Sequence, residues 1–223
     1  MNECGLRYFL AILLIFLAIG SGLGKDSSAP ISVVFEGDSL TEGWTGSSNY
    51  HWVSSLGATE NWKTKNLAVG GTTCSDMLTG KRTGKVDKTY RAEDSNVAVL
   101  WCGTNDVANA LATPEQMLHY VREWSLERRK RGFRVVVATL QSIRKHGDTQ
   151  NGDAERDAFN TLLREQWPNF ADALADVAAA PEIGADGAWQ NPAYFPYQKH
   201  LSPAGYNLVM RQMESAIHSA VKD

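Results

Sequence analysis

The chain has 223 residues, with 22 Lys and Arg against 25 Asp and Glu and a formal net charge of −3. That length suits one domain with a sizeable core, and the slight negative balance gives no reason to expect nucleic acid or an anionic membrane as a partner. No CxxC and no HExxH occurs, so there is no metal-site spacing to read.

In chain order, Arg7 precedes an unbroken apolar run over 8–19, followed by the small residues GSGLG. This is a signal-peptide pattern, too short for a comfortable transmembrane helix, with cleavage expected near Gly24. An uncleaved N-terminal anchor is the alternative. Cys4 lies before the apolar run and is not placed as a lipoprotein cysteine. GSGLGK is one residue short of a phosphate loop, and Asp26 stands where Ser or Thr is required. The expectation is a secreted or periplasmic protein, with no stable membrane insertion once the leader is gone. Export implies an oxidising compartment, and Cys74 and Cys102 remain in the mature part. Two short basic runs, 80–88 and 127–132, read as solvated surface.

From Pro30 onward, apolar strands alternate with helical segments. ISVVFE (31–36), NLAVG (66–70), VAVLWCG (97–103) and FRVVVATL (133–140) are runs of buried-strand type, and LADVA (174–178) is a weaker fifth. Between the third and fourth, a helix begins with Thr113 as N-cap, Pro114 at N1 and Gln116 in the capping-box position, and it ends at Gly132. Its apolar stripe is Met117, Leu118, Val121, Trp124 and Leu126. A second helix is expected over about 153–167, and a last one over 202–221 with Ser202 as N-cap and Pro203 first. This order predicts an α/β fold, a parallel sheet of about five strands covered on both faces, as a single domain over 25–223.

In such sheets the site lies outside the carboxyl ends of the strands. Ser39 follows the first strand, Gly70-Gly71 the second, and Asn105 and Asp106 the third, while His200 precedes the last helix. Each has a plain reading alone: a helix cap for Ser39, a tight turn for the glycines, an Asx-turn for Asn105, a surface position for His200. Together they supply a hydroxyl, two independent amide donors and an imidazole, the parts that acyl transfer needs. The stretch around Ser39 is not a G-x-S-x-G elbow, because Thr41 stands at the last glycine. His51, His119, His146 and His218 lack such company and read as structural or solvated. Trp44, Trp52 and Trp189 could stack on sugars, but tryptophans more often belong to the core or its rim.

EGDSLTEGW, NLAVGG, GTND and HLSPAGY, in this order, resemble the motifs of the SGNH, or GDSL, hydrolase superfamily over nearly all of 31–221. The resemblance implies a flavodoxin-like three-layer α/β/α sandwich and hydrolysis of esters, acetylated sugars, lipids or thioesters. It implies Ser39 as nucleophile, His200 as general base, and an oxyanion hole from the N–H groups of Ser39 and Gly71 with the Asn105 side chain. No metal or cofactor is implied. If Gly71 and Asn105 converge on one oxyanion, Cys74 and Cys102 are near each other and able to pair.

Most members read D-x-x-H at the last motif, and here the acid position is Tyr197. The role needs only an acceptor for the imidazole Nδ1–H, and a backbone carbonyl is one. The Tyr197 carbonyl is the first expectation, with Asp186 folding back as the second. The expected function is hydrolysis of short-chain acyl or O-acetyl esters, small molecules or carbohydrate, through a Ser–His acyl-enzyme mechanism. A lysophospholipase or thioesterase is the alternative, as is a non-catalytic ligand-binding member of the fold.

Overall fold

The computed structural model describes residues 29–80, 85–145, 152–197 and 199–222. The expected leader and anchor, and His146, lie outside the described residues. The elements run β1 (Ile31–Gly37), α1 (Ser39–Glu42), α2 (Trp52–Glu60), β2 (Lys63–Asn66), α3 (Cys74–Thr79), β3 (Ser95–Trp101), α4 (Thr104–Ala108) and α5 (Pro114–Lys130). They continue with β4 (Arg134–Ala138), α6 (Asp153–Gln166), β5 (Ala173–Ala175), α7 (Pro181–Gly184) and α8 (Pro203–Val221). One five-stranded sheet forms in the order β2-β1-β3-β4-β5, with every pairing parallel.

β1, β3 and β4 carry near-continuous apolar sequence because both of their faces are covered. Alternation along β1 shows the two layers. The Phe35 ring meets Trp52 of α2 edge-on, and Trp52 stacks on Tyr206 of α8. Glu36, on the opposite face, accepts a hydrogen bond from the Trp124 indole of α5 at 2.7 Å. Helices α2 and α8 thus cover one face, and α3, α5 and α6 the other. Each Val or Phe side chain fully buried between these layers contributes about 1.5–3 kcal/mol.

The expected strand over 66–70 is shifted: the pairing residues are Lys63–Asn66. β2 is a sheet edge with exposed lysines, and polar edge strands escape a search for apolar runs. The stretch that looked like a strand is its continuation as a loop, where Leu67 N–H donates to Phe35 O at 2.8 Å and Val69 N–H to Gly37 O at 3.0 Å. The capping box at Thr113 and Gln116 and the Ser202 cap form as expected.

The register brings Gly37 of β1 level with Trp101 of β3. From these neighbours the chain departs in opposite directions, to α2 and β2 on one side and to α5 and β4 on the other. The order reverses between β1 and β3, which makes their carboxyl ends the crevice of the sheet.

Candidate active site

The turn out of β1 is made by a glycine for want of room. A Cβ on Gly37 would stand 2.0 Å from Thr41 Oγ1 and 2.6 Å from Trp101 O. Asp38 then caps α1, its Oδ1 accepting the Leu40 N–H at 2.9 Å, and Ser39 opens this single helical turn. Gly43 and Trp44 both donate their N–H to the Ser39 carbonyl, at 3.1 and 2.8 Å. The Ser39 hydroxyl is therefore raised above the crevice on a tightly closed turn.

Ser39 Oγ lies 3.0 Å from His200 Nε2, hydrogen-bond distance for proton transfer between residues 161 apart in sequence. The glycine loop also passes close to Ser39. A Cβ on Gly70 would be 3.7 Å from Ser39 Cβ, and Gly71 has φ +81°, which favours glycine. Asn105 is buried at the start of α4, and its Nδ2 donates to Thr72 O at 2.9 Å. That bond sets the amide plane with one N–H and leaves the second available to a bound oxyanion.

Two further ties join the glycine loop to the Asn105 loop. Cys74 and Cys102 form a disulfide with Cα atoms 5.3 Å apart, and Cys74 N–H donates to Asp106 Oδ2 at 3.1 Å. The pairing that the sequence left open is present. Sequence alone placed Asp106 at this edge of the sheet without a role and did not single out Thr72 or Asp38. Their signal was position: Asp38 and Asp106 lie inside the GDSL and GTND motifs, and Thr72 follows Gly71.

The site holds unusual charge. Burial pushes the Asp38 carboxyl up to about 7, against the opposing Leu40 hydrogen bond, with Asp106 raising it further and the Lys199 ammonium lowering it. Asp106 is pushed up to about 6 by its own burial, opposed by the Cys74 hydrogen bond. Burial also holds the Lys199 amine below its ordinary range.

The two expected orienters of His200 are placed differently. The Tyr197 carbonyl belongs to the turn that carries His200 and accepts the N–H of Lys199 at 2.6 Å and of His200 at 3.4 Å. Asp186 is engaged elsewhere: the buried guanidinium of Arg156 donates to its Oδ1 at 2.6 Å. Of the three tryptophans considered for sugars, Trp52 is wholly in the core and Trp189 lies under the Arg144 guanidinium. Trp44 offers its carbonyl to the Tyr206 hydroxyl at 2.9 Å.

Among the described residues, one group has metal-ligand spacing: Glu60, Glu214 and His218, with ligand atoms within 4.8 Å of one another. It lies between α2 and the far half of α8, where His218 Nε2 and Glu60 Oε2 are in hydrogen-bond contact at 2.8 Å. A cavity of about 350 Å³ opens at the opposite end of the strands, beside Ser32 and Lys63. Another, of about 290 Å³, adjoins α4 and is lined by Asp106, Val107, Leu111, Pro114 and Lys145 among others.

Residues 35–208 match the model of the GDSL-like lipase/acylhydrolase family. Solved structures share the fold at low identity. A GDSL-like lipase from Bacteroides thetaiotaomicron has a TM-score of 0.65 at 16% identity, over 85% of this chain and 89% of that one. A member of the lipolytic protein G-D-S-L family from Veillonella parvula has 0.63 at 18%, over 82% and 95%. LAE5, an α/β hydrolase from the metagenome of Lake Arreo, has 0.60 at 20%, over 85% and 96%. No curated protein sequence matches at significance.

Proposed function

The chain belongs to the GDSL-like lipase/acylhydrolase family, and from that premise we propose that it is a serine hydrolase acting on carboxylic esters. The observation that carries this reading is the 3.0 Å approach of Ser39 Oγ to His200 Nε2. As Ser39 Oγ attacks the acyl carbon, its proton passes to His200 Nε2. The carbonyl oxygen becomes an oxyanion held by the N–H of Ser39, the N–H of Gly71 and the free Nδ2–H of Asn105. Collapse breaks the ester C–O bond, and His200 returns the proton to the leaving alkoxide. Water then attacks the acyl-enzyme, gives its proton to His200, and restores Ser39 with release of the acid.

The Tyr197 main chain is the favoured orienter of His200, because Asp186 is committed to Arg156. The substrate proposed is a short-chain acyl or O-acetyl ester, on a small alcohol or a carbohydrate. Secretion or a periplasmic location is likewise proposed, supported by the disulfide.

The test is covalent labelling by a fluorophosphonate, with the modified residue found by mass spectrometry, followed by turnover of acyl esters of graded length and acetylated polysaccharides. Labelling at Ser39 that is lost in Ser39→Ala is expected. A wild-type protein that neither labels nor hydrolyses any ester would be a binding module of the fold instead.

A further inference from the structure

Tyr197 stands where an acid is usual, and its ring has a definite partner. It lies against the backbone of Gly46, where an added Cβ would be 2.0 Å from Tyr197 Cδ2, 2.3 Å from Cγ and 2.7 Å from Cε2. Gly46 has φ +97°, so both its backbone and the ring above it exclude a side chain. The contacting atoms are ring carbons, and Tyr197 is 51% exposed.

The loop beneath that ring, residues 43–50, begins at the nucleophile. Its first two N–H groups close on the Ser39 carbonyl, and Trp44 and Asn49 form an antiparallel bridge across it. Its far side is fastened to α8. Tyr206 donates its hydroxyl to Trp44 O at 2.9 Å, and Tyr50 stacks on Tyr206 at 5.8 Å between ring centres. α8 starts three residues after His200. Tyr197 and His200 in turn pair as an antiparallel bridge. A closed circuit of contacts therefore runs from Ser39 through residues 43–50 to the Tyr197 ring, and from there to His200.

We propose that Tyr197 is a positioning residue, whose ring, seated on Gly46, sets the approach of His200 to Ser39. The proposal rests on the Ser–His hydrolase reading. It assigns the side chain a role that the usual carboxylate at this position would not fill: fastening the histidine loop to the nucleophile loop.

Two variants separate ring from hydroxyl. Tyr197→Phe keeps every contacting carbon and is expected to retain kcat within about twofold, whereas Tyr197→Ala releases the loop and lowers kcat about 10²-fold with KM little changed. Hydrogen exchange gives a readout independent of turnover: peptides covering 44–50 and 194–201 should exchange faster in Tyr197→Ala and not in Tyr197→Phe. Tyr197→Leu, which keeps apolar bulk without a planar ring, should lie between and serves if the Ala variant fails to fold. Wild-type kcat and exchange in the Ala and Leu variants would overturn the proposal. So would an equal loss in Tyr197→Phe, which would make the phenol hydroxyl the working group. A wild-type protein inert to esters and fluorophosphonate would remove the hydrolase reading itself, a result distinct from an active wild type whose Tyr197 variants are unimpaired.

Discussion

The Cys74–Cys102 disulfide allows a stability prediction worked from its place in the chain. The bridge spans 28 residues, and closing a loop of that length removes roughly 12 cal/mol/K from the entropy of the unfolded chain, or about 3.5 kcal/mol at 25 °C. Both cysteines are buried, so replacing them also forfeits packing and adds to the loss. Urea denaturation of the Cys74→Ala/Cys102→Ala double variant should show an unfolding free energy lower by at least about 3 kcal/mol than the oxidised protein. The midpoint of thermal unfolding should fall by about 7–14 °C for a domain of this size. Activity should suffer less, because two ties between the same loops survive: Asn105 Nδ2 to Thr72 O, and Cys74 N–H to Asp106. Since a 1 Å misplacement can cost about 10²-fold, a fall in kcat of under tenfold or so is expected while those ties hold. Unfolding free energies within about 1 kcal/mol of each other would refute the loop-entropy reasoning. A 10²-fold loss of kcat would show that the disulfide alone holds the oxyanion hole together.

Ser39→Ala and His200→Ala should each abolish nearly all ester turnover with wild-type circular dichroism, and the double variant should be little worse than either, because the pair acts as one unit. Substantial turnover by Ser39→Ala would end the serine-hydrolase reading. Asn105→Ala should lower kcat about 10²–10³-fold with a small change in KM, since its donor is used in the transition state; a change in KM alone would make Asn105 a substrate-binding residue. For Asp38, the folded-state value of about 7 lies above the ordinary 3.8, so the native state holds the proton more tightly than the unfolded chain. Its carboxylate should therefore cost nothing below about pH 4, and the cost should grow from pH 4 to 7 and then level off near 4 kcal/mol at most. Asp38→Asn, which keeps the capping oxygen, should thus stabilise the protein at pH 8 and not at pH 4. Equal effects of that substitution at both pH values, by urea melts, would show that Asp38 does not titrate in this window.

What the sequence alone determined is what neighbours along the chain decide. The apolar runs of β1, β3 and β4 announce buried parallel strands, because a strand covered on both faces has no polar side to show. Thr113, Gln116, Ser202 and Pro203 mark helix starts, because caps satisfy N–H groups only a few residues away. Ser39, Gly71 and Asn105 were legible as site candidates because each follows a strand at its carboxyl end. β2 was misplaced because an edge strand of lysines needs only a neighbour to pair with, and that neighbour, β1, lies some thirty residues back. Other facts arise only when the sheet closes. The approach of Ser39 to His200 spans 161 residues, and the Arg156 ion pair that occupies Asp186 spans 30. The seat of the Tyr197 ring on Gly46 and the burial that raises Asp38 likewise have no local signature. Residue type and spacing specify what a side chain is able to do, whereas its partner and its distance from water depend on how distant segments pack, and the tertiary structure decided both.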